Sequence, residues 1–188
     1  MYIERILCPI ETLGPGRRLV IWTKGCSKKC PGCISPEMAI VGNANSISVE
    51  QLFTIIHNIY DEEGFDGITV SGGDPFEQLT ELLQLLELIR TLTNDVLVYT
   101  GYVWEEFSKT INSSEKSKIE NNISVLIDGP YVAEKNLSSL ALRGSSNQNI
   151  IFFDSSKEDI YERYIREGRK LQNIYIDDKL LIVGIMDK

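Results

Sequence analysis

One stretch of the chain, RRLVIWTKGCSKKCPGC at residues 17–33, joins an apolar run to a loop that carries three cysteines. The run at 17–23 has the β-branched and aromatic composition of a buried strand. Cys26, Cys30 and Cys33 then follow with the spacing C-x3-C-x2-C. Three thiolates on one loop can each bind one iron of a [4Fe–4S] cluster, which leaves the fourth iron open to activate a small molecule. The spacing therefore favours an open-iron cluster.

Two other uses of clustered cysteines stay open at this stage. Structural zinc takes four nitrogen or sulfur ligands in a closed tetrahedron. The fourth ligand would have to be Cys8 or His57, and neither belongs to a paired C-x2-C or H-x3-H arrangement. We expect Cys8 to be a small buried side chain and His57 to be a packed or edge residue of a helix. A disulfide would leave one of the three loop cysteines over.

The composition is that of one globular domain, since 188 residues suffice to bury a substantial core. We find no secretion signal and no run long enough to span a membrane, so we expect a cytoplasmic protein whose thiols stay reduced. The net charge of −8 argues against general binding to nucleic acid. The basic residues that flank the cysteine loop predict either a solvated rim or a docking surface that also supports an electron-rich cluster: Arg17, Arg18, Lys24, Lys28 and Lys29.

Strand and helix patterns alternate through the middle of the chain. Ser48 and Gln51 predict a capping box at the start of a helix with an apolar face. The patterns then predict strands at 68–70, 96–99 and 123–127, a long helix with apolar positions from Leu79 to Ile89, and short helices at 104–109 and 114–120. This β-α-β-α order predicts a largely parallel sheet with right-handed crossovers.

The end of the chain has a different pattern. A charged helix is predicted at 156–167, with an apolar face formed by Ile160, Tyr161, Tyr164 and Ile165. A hairpin is predicted from strands at 173–176 and 179–183 around Asp177 and Asp178. We therefore divide the chain into a core at 1–152 and an extension at 153–188 that packs on the same domain.

Polar loops follow the predicted strands, and ligands of parallel sheets bind beyond the carboxyl ends of the strands. We expect one rim to contain the loops at 26–33, 71–75, 100–102 and 128–129. Asp74 can cap the next helix, with Pro75 at its first position, and this turn needs only one glycine. The pair Gly72 and Gly73 would also let a ligand approach the backbone, whose carbonyls can accept hydrogen bonds from an ammonium group.

Other candidates near this rim have both a structural and a functional interpretation. Thr100 and Asp128 each lie at the end of a predicted strand. Such a residue is either a strand-end cap or turn residue, or it binds a cation, a ribose hydroxyl or a positive substrate group. The polar segment at 142–148 is either a surface turn or a site for a carboxylate or hydroxyl-bearing ligand, with Arg143 as the charged donor. Gly32 and Ile34, on either side of the third cysteine, complete the predicted cofactor-binding residues.

Six segments, taken in order, resemble the motifs of the radical S-adenosylmethionine superfamily, and in particular of its small anaerobic ribonucleoside-triphosphate reductase-activating proteins. They are residues 14–16, 25–33, 71–75, 99–102, 126–129 and 143–148, and together they cover roughly residues 10 to 150. Gly32 stands where many superfamily members have an aromatic residue, although Pro31-Gly32 is typical of the reductase activators. The tail beyond about residue 152 is longer than this resemblance leads us to expect.

The resemblance implies that the three loop cysteines hold a [4Fe–4S] cluster, that S-adenosylmethionine chelates its fourth iron, and that Gly72-Gly73-Asp74 cradles the methionine end. One electron would cleave the carbon–sulfur bond to give methionine and a 5′-deoxyadenosyl radical, which takes hydrogen from a backbone glycine of a partner enzyme. The implied fold is a partial, open α/β barrel whose mouth can admit a protein loop.

Three functions are consistent with these features. The first is activation of a glycyl radical enzyme, anaerobic (class III) ribonucleotide reductase, with flavodoxin or ferredoxin as electron donor. The second keeps the radical chemistry but acts on another glycyl radical enzyme, a peptide or a small metabolite, and the extended tail motivates it. The third is a non-catalytic binding module stapled by a metal.

Overall fold

The computed structural model describes residues 1–42, 46–176 and 178–186. Within these ranges the strands are β1 Ile3–Ile10, β2 Arg18–Thr23, β3 Gly67–Gly72, β4 Val96–Tyr99, β5 Val125–Asp128, β6 Asn149–Phe152, β7 Leu171–Ile176 and β8 Lys179–Gly184. A six-stranded sheet contains β1 to β6 in chain order, and a separate two-stranded sheet pairs β7 with β8. Strands β2 to β5 are parallel, whereas β1 and β6 run antiparallel at the edges. A mixed α/β fold with a largely parallel sheet is confirmed.

Both faces of the central sheet are covered. The α-helices are α1 Val49–Glu63, α2 Leu79–Ile89, α3 Trp104–Phe107, α4 Ser113–Asn122 and α5 Glu158–Arg166, with single 3₁₀ turns at Pro36–Ala39, Pro75–Gln78, Ala133–Lys135 and Ser155–Lys157. Successive strand residues point to opposite faces of a sheet. Val96 and Val98 pack in the cluster that contains the apolar faces of α1, α2 and α4, whereas Leu97 packs with Tyr161 and Tyr164 of α5. The extension therefore covers the face opposite those three helices.

The hairpin β7–β8 joins α5 on this second face. Its Val183 packs in one cluster with Val20 of β2 and Ile10 of β1. The predicted turn residue Asp177 lies outside the described residues, while Asp178 has a positive φ of 61°. None of the helices in the described ranges is long and apolar enough to cross a membrane.

Local sequence signals predicted the helices well and the sheet edges poorly. The capping box of α1 is confirmed, because the Gln51 amide donates to Ser48 Oγ at 3.1 Å and the Ser48 amide donates to Gln51 Oε1 at 3.3 Å. The edge strands β1 and β6 were not predicted. Ile160 was predicted on the apolar face of α5, but it is 41% exposed, so that part of the prediction is wrong.

Arg18 is completely buried at the amino end of β2, and the prediction that it belongs to a basic rim is wrong. Its guanidinium donates to Thr69 Oγ1 at 2.6 Å and to the Ile68 carbonyl at 2.8 Å, and it forms an ion pair with Asp95 at 3.2 Å. Asp95 Oδ1 also accepts a hydrogen bond from Tyr161 Oη at 2.7 Å. A buried charge is tolerated only when it is paired and hydrogen-bonded, and these contacts meet that requirement.

We predict that Tyr161→Phe lowers the free energy of unfolding by about 1–3 kcal/mol, because Asp95 loses a buried hydrogen-bond donor. The matched control is Tyr175→Phe, at a side chain that is 76% exposed, and it should change stability little. Urea unfolding followed by circular dichroism measures both variants. Equal losses for the two variants would contradict a structural role for the Tyr161 hydroxyl.

The stability of the protein at alkaline pH also tests how Tyr164 of α5 is packed. Burial raises the pKa of Tyr164 to about 12, although a hydrogen bond from the Gly14 amide and the charge of Arg18 oppose the shift. The fold therefore prefers the neutral phenol. The contribution of this neutral phenol to the free energy of unfolding is fully present below the ordinary tyrosine pKa of about 10. It is lost as the pH rises to about 12.

We predict that Tyr164→Phe reduces the slope of unfolding free energy against pH in this window by about one proton per molecule. The measurement is urea unfolding between pH 9 and about pH 12. Tyr175→Phe serves again as the control and should keep the slope of the unchanged protein. An unaltered slope in Tyr164→Phe would show that this phenol titrates normally in the folded protein.

Candidate metal and cofactor site

A cavity of about 530 Å³ lies at the carboxyl ends of the parallel strands. Its volume falls within the roughly 300–1,000 Å³ that is usual for cofactor and small-molecule sites. The structure brings several predicted site residues to its wall: Cys26, Cys30, Cys33, Gly72, Gly73, Asp74 and Thr100. Segments far apart in the sequence thus meet at one rim.

Four predicted cofactor-binding residues do not line this cavity in the part of the chain that the structure describes: Gly32, Ile34, Asp128 and Arg143. Gly32 has a φ of 77° and forms the turn between the second and third cysteines. Ile34 lines two adjoining cavities. Arg143 donates from Nη1 to the Gln148 carbonyl at 3.0 Å, within its own loop.

Asp128 has the geometry of a cap. Its Oδ2 accepts from the Trp104 amide at 2.7 Å, at the start of α3. Its Oδ1 accepts from Asn149 Nδ2 at 2.8 Å. The carboxylate is buried and joins the end of β5 to α3 and to β6. Of the two interpretations of Asp128, these bonds favour the strand-end cap.

Asp74 connects two strand ends at the wall of the cavity. As predicted, it caps the turn that begins with Pro75, since its Oδ1 accepts from the Phe76 amide at 3.0 Å. The same oxygen accepts from Thr100 Oγ1 at 2.9 Å, and Oδ2 accepts from the Gly101 amide at 2.9 Å. Burial raises the pKa of Asp74, and these three hydrogen bonds partly offset that rise. Thr100 therefore acts on the site at least partly through Asp74.

The two glycines before Asp74 are both required by backbone packing. Gly72 has a φ of 109°, and a Cβ there would overlap the backbone of Thr23. A Cβ on Gly73 would overlap Gly25 and approach the Met38 carbonyl to 2.9 Å. Only Gly72 has the positive φ that the turn needs, as expected, whereas Gly73 is required by its contact with the distant Gly25. The pair lets this loop lie directly against the backbone that leads into the cysteine loop.

Hydrogen bonds hold these backbones together. The Gly73 amide donates to the Thr23 carbonyl at 2.8 Å, and the Asp74 amide donates to the Gly25 carbonyl at 2.8 Å. The Cys26 amide donates to the Ala39 carbonyl at 3.1 Å. The first cysteine is therefore positioned by main-chain contacts on both sides of its loop.

Glu77 is a site residue that the sequence analysis missed. Its Oε1 accepts hydrogen bonds from Ser27 Oγ at 2.5 Å and from Tyr102 Oη at 3.0 Å. Burial opposes ionisation of Glu77, but the hydrogen bonds from Ser27 and Tyr102 outweigh it, so its pKa is lowered. The Lys28 ammonium lies 2.8 Å from the centroid of the Tyr102 ring. A glutamate three residues after a capping aspartate was the available signal, because acidic side chains are favoured in the first turn.

The candidates for a fourth zinc ligand lie away from the cysteine loop. Cys8 is partly buried and packs against the core on the side of α1 and α2. His57 is 47% exposed on α1, and its Nδ1 lies 3.0 Å from Asp61. Across the described ranges, no group of three or more His, Cys, Asp or Glu side chains is placed to hold a single metal ion. Neither Cys8 nor His57 lines the cavity that contains the three loop cysteines, and this placement disfavours the zinc alternative.

The donor set fits an iron–sulfur cluster, which takes each thiolate at a separate iron. All four cysteines are free, and the three in the loop line one wall of the cavity. Burial raises the pKa of the Cys26 thiol, and the charges of Asp74 and Cys30 raise it further. Binding of a cationic metal centre compensates this cost, because metal binding favours the thiolate.

Comparison with known proteins agrees with this geometry. A family model described as a 4Fe-4S single cluster domain matches residues 12–151. The fold and the three-cysteine loop thus define an iron–sulfur protein of the single-cluster class.

Relatives identify the family within that class. The anaerobic ribonucleoside-triphosphate reductase-activating protein of Escherichia coli K12 is 32% identical over 146 residues, which cover 74% of this chain and 92% of the relative. Proteins of the same name from Vibrio cholerae and Enterobacteria phage T4 are 30% and 31% identical, over 76% and 73% of this chain and 92% and 85% of their own lengths. The chain belongs to the family of these reductase-activating proteins, as the resemblance predicted.

We predict that Gly73→Ala lowers the free energy of unfolding by about 1–3 kcal/mol, as overpacking does, and reduces the iron bound per chain after anaerobic reconstitution. The reason is the overlap of the new methyl group with the backbone of Gly25, next to the first cysteine. The matched control is Gly101→Ala, where the nearest atoms to the new methyl group belong to side chains, Lys28 Cγ at 3.1 Å and Asp74 Oδ2 at 3.4 Å, and not to backbone. Full iron loading in Gly73→Ala would show that the close backbone contact does not position the loop.

Proposed function

We propose that this protein activates an anaerobic ribonucleoside-triphosphate reductase by generating a glycyl radical on it. The observation that carries the proposal is the meeting of three free cysteines and the Gly72-Gly73-Asp74 loop at one cavity of cofactor size. Relatives that are named as activating proteins of this reductase match 73% to 76% of the chain.

A [4Fe–4S] cluster and S-adenosylmethionine bound here would supply one-electron cleavage of a carbon–sulfur bond. The residues of the chain bind, orient and shield these groups. Cys26, Cys30 and Cys33 would hold the cluster, and the Gly72-Gly73-Asp74 loop would hold the methionine end of the cofactor. No side chain has to act as a general base.

The remaining predicted residues support the same site. Thr100 and Asp128 hold the ends of β4 and β5 through the hydrogen bonds described above. Gly32 and Ile34 shape the turn around the third cysteine. Arg143 orders the loop that faces the cavity through Gln148, a residue of the cavity wall.

Other parts of the proposal concern architecture and setting. We propose that the sheet is a partial, open barrel, with a core at 1–152 and an extension at 153–188 of the same domain. The parallel order of β2 to β5 supports the barrel, and the packing of α5 on the sheet supports a single domain.

We propose flavodoxin or ferredoxin as electron donor, since cleavage needs a one-electron donor of low potential. Reduced thiols suit the cytoplasm.

We predict that the reduced, reconstituted protein, incubated anaerobically with S-adenosylmethionine and the reductase, produces a glycyl radical that electron paramagnetic resonance detects. Cys26→Ser, Cys30→Ser and Cys33→Ser should each abolish the signal and the release of 5′-deoxyadenosine, because the cluster loses a ligand. Cys8→Ser is the matched control and should retain both, since Cys8 does not line the cavity.

Two results would redirect the proposal. Release of 5′-deoxyadenosine without a radical on the reductase would favour another glycyl radical enzyme, a peptide or a metabolite as target. The extension beyond the matched residues 12–151 is the feature that motivates this second candidate. A colourless, zinc-containing protein that leaves S-adenosylmethionine intact would exclude both radical functions.

A further inference from the structure

One cation is held on the wall of the cofactor cavity. In the described part of the chain, the cationic residues that line this cavity are Lys28 and Lys29. Lys29 is exposed, and water and salt screen an exposed charge. Lys28 is only partly exposed, and its ammonium lies on the ring of Tyr102, 2.8 Å from the ring centroid. The charge of Lys28 is therefore the one that has a fixed place at the cavity.

The Lys28 side chain reaches this ring by crossing the loop that follows β4. A Cβ on Gly101 would lie 3.1 Å from Lys28 Cγ and 3.6 Å from Lys28 Cε, so the stem of the lysine runs directly over this glycine. The ring is held in place, because Tyr102 Oη donates to Glu77 Oε1 at 3.0 Å. It also packs against Phe107, with 4.8 Å between the ring centroids. Tyr102 is thus an ordered platform for the ammonium group.

The ammonium of Lys28 keeps its hydrogen-bond donors available. A lysine ammonium carries three donors. Among the described residues it makes no hydrogen bond and no ion pair, and its contact is the face of Tyr102. Burial acts to raise the pKa values of Asp74 and Glu77, and the charge of Lys28 acts in the opposite direction, so this charge is felt at the site. A fixed cation with available donors at a cavity wall favours an anionic group inside the cavity.

We propose that Lys28, fixed on the ring of Tyr102, sets how readily the cluster accepts an electron. This inference rests on the proposed function, because it requires a [4Fe–4S] cluster on the three loop cysteines. Lys28 lies two residues after Cys26 and lines the same cavity as all three. Net charge around an iron–sulfur cluster is one of the factors that set its reduction potential. The spacing C-x3-C-x2-C leaves position 28 open, so the cation is a feature that this chain adds to the cysteine motif.

The step that Lys28 affects is the transfer of one electron to the cluster. The low-potential donor loses this electron and the cluster gains it, while no bond forms or breaks and no proton moves. The reduced cluster is more negative by one charge, so a nearby cation stabilises it more than the oxidised cluster. The cation therefore makes the cluster easier to reduce and, once reduced, a weaker reductant.

The test is Lys28→Met in the reconstituted full chain, without S-adenosylmethionine and without the reductase. An anaerobic redox titration with dithionite, followed by electron paramagnetic resonance of the reduced cluster, gives the reduction potential. At a fixed solution potential, the ratio of reduced to oxidised cluster should fall about tenfold, because one positive charge is lost. A tenfold change corresponds to about 59 mV for a one-electron couple.

The matched control is Lys24→Met. Lys24 lies two residues before Cys26, just as Lys28 lies two residues after it. Its ammonium is paired with Glu4 Oε2 at 2.9 Å, and it does not line the cavity. Lys24→Met should therefore keep the reduction potential of the unchanged protein. Lys28→Arg, which keeps the positive charge, should also keep it.

Two substitutions at Tyr102 test the platform and leave the cysteine loop unaltered. Tyr102→Phe keeps the aromatic face and should keep the reduction potential, although it loses the hydrogen bond to Glu77. Tyr102→Leu removes the face that attracts the ammonium, which then moves into water, where its charge is screened. This variant should lower the ratio of reduced to oxidised cluster, as Lys28→Met does. It also keeps the inference testable if Lys28→Met does not fold.

The outcomes separate this inference from the proposed function. An unchanged potential in Lys28→Met or in Tyr102→Leu would overturn the inference, and so would an equal shift in Lys24→Met, which would indicate a general effect of charge. The proposed function would still stand if the unchanged protein forms a glycyl radical on the reductase. Conversely, the expected shifts in a protein that forms no such radical would support the role of Lys28 and refute the proposed function.

Discussion

A buried ion pair at the amino ends of the strands holds the layers of this protein together. Arg18 reaches β3 through Thr69 and the loop before β4 through Asp95, and Asp95 reaches α5 through Tyr161. Glycines at 14 and 67 leave room for the guanidinium, since a Cβ at either would overlap it. A buried arginine without these partners would cost several kcal/mol. The Tyr161 hydroxyl links the extension to this network through Asp95. The charge sits at the end of the sheet that the cofactor cavity does not use.

The opposite end of the sheet is organised by main-chain contacts. The glycine pair before Asp74 lets two backbones touch, and Asp74 then ties that loop to Thr100 and Gly101. Glu77 fixes Ser27 inside the cysteine loop. Contacts of this kind position the cysteine ligands but leave their thiol groups free to bind metal. The raised pKa of the Cys26 thiol fits this arrangement, because a cationic centre is what makes its thiolate favourable.

The extension gives the family fold an additional layer. Its helix buries Tyr161 and Tyr164 against one face of the sheet, and Arg169 then clasps the segment that faces the cavity. The extension therefore both stabilises the sheet and holds a segment beside the cavity.

The sequence by itself determined the features that depend on residues a few positions apart. These are the cysteine spacing, the capping box at Ser48, the cap at Asp74 and the order of strands and helices. These signals are local, because spacing within a turn or along a strand fixes which groups meet. Tertiary structure alone decided that Arg18 is buried, that both glycines before Asp74 are needed, that Asp128 caps α3 and that Glu77 holds the cysteine loop. Each of these depends on contacts between segments some 20 to 80 residues apart. No local pattern encodes such contacts, because their energy exists only once the sheet has brought the segments together.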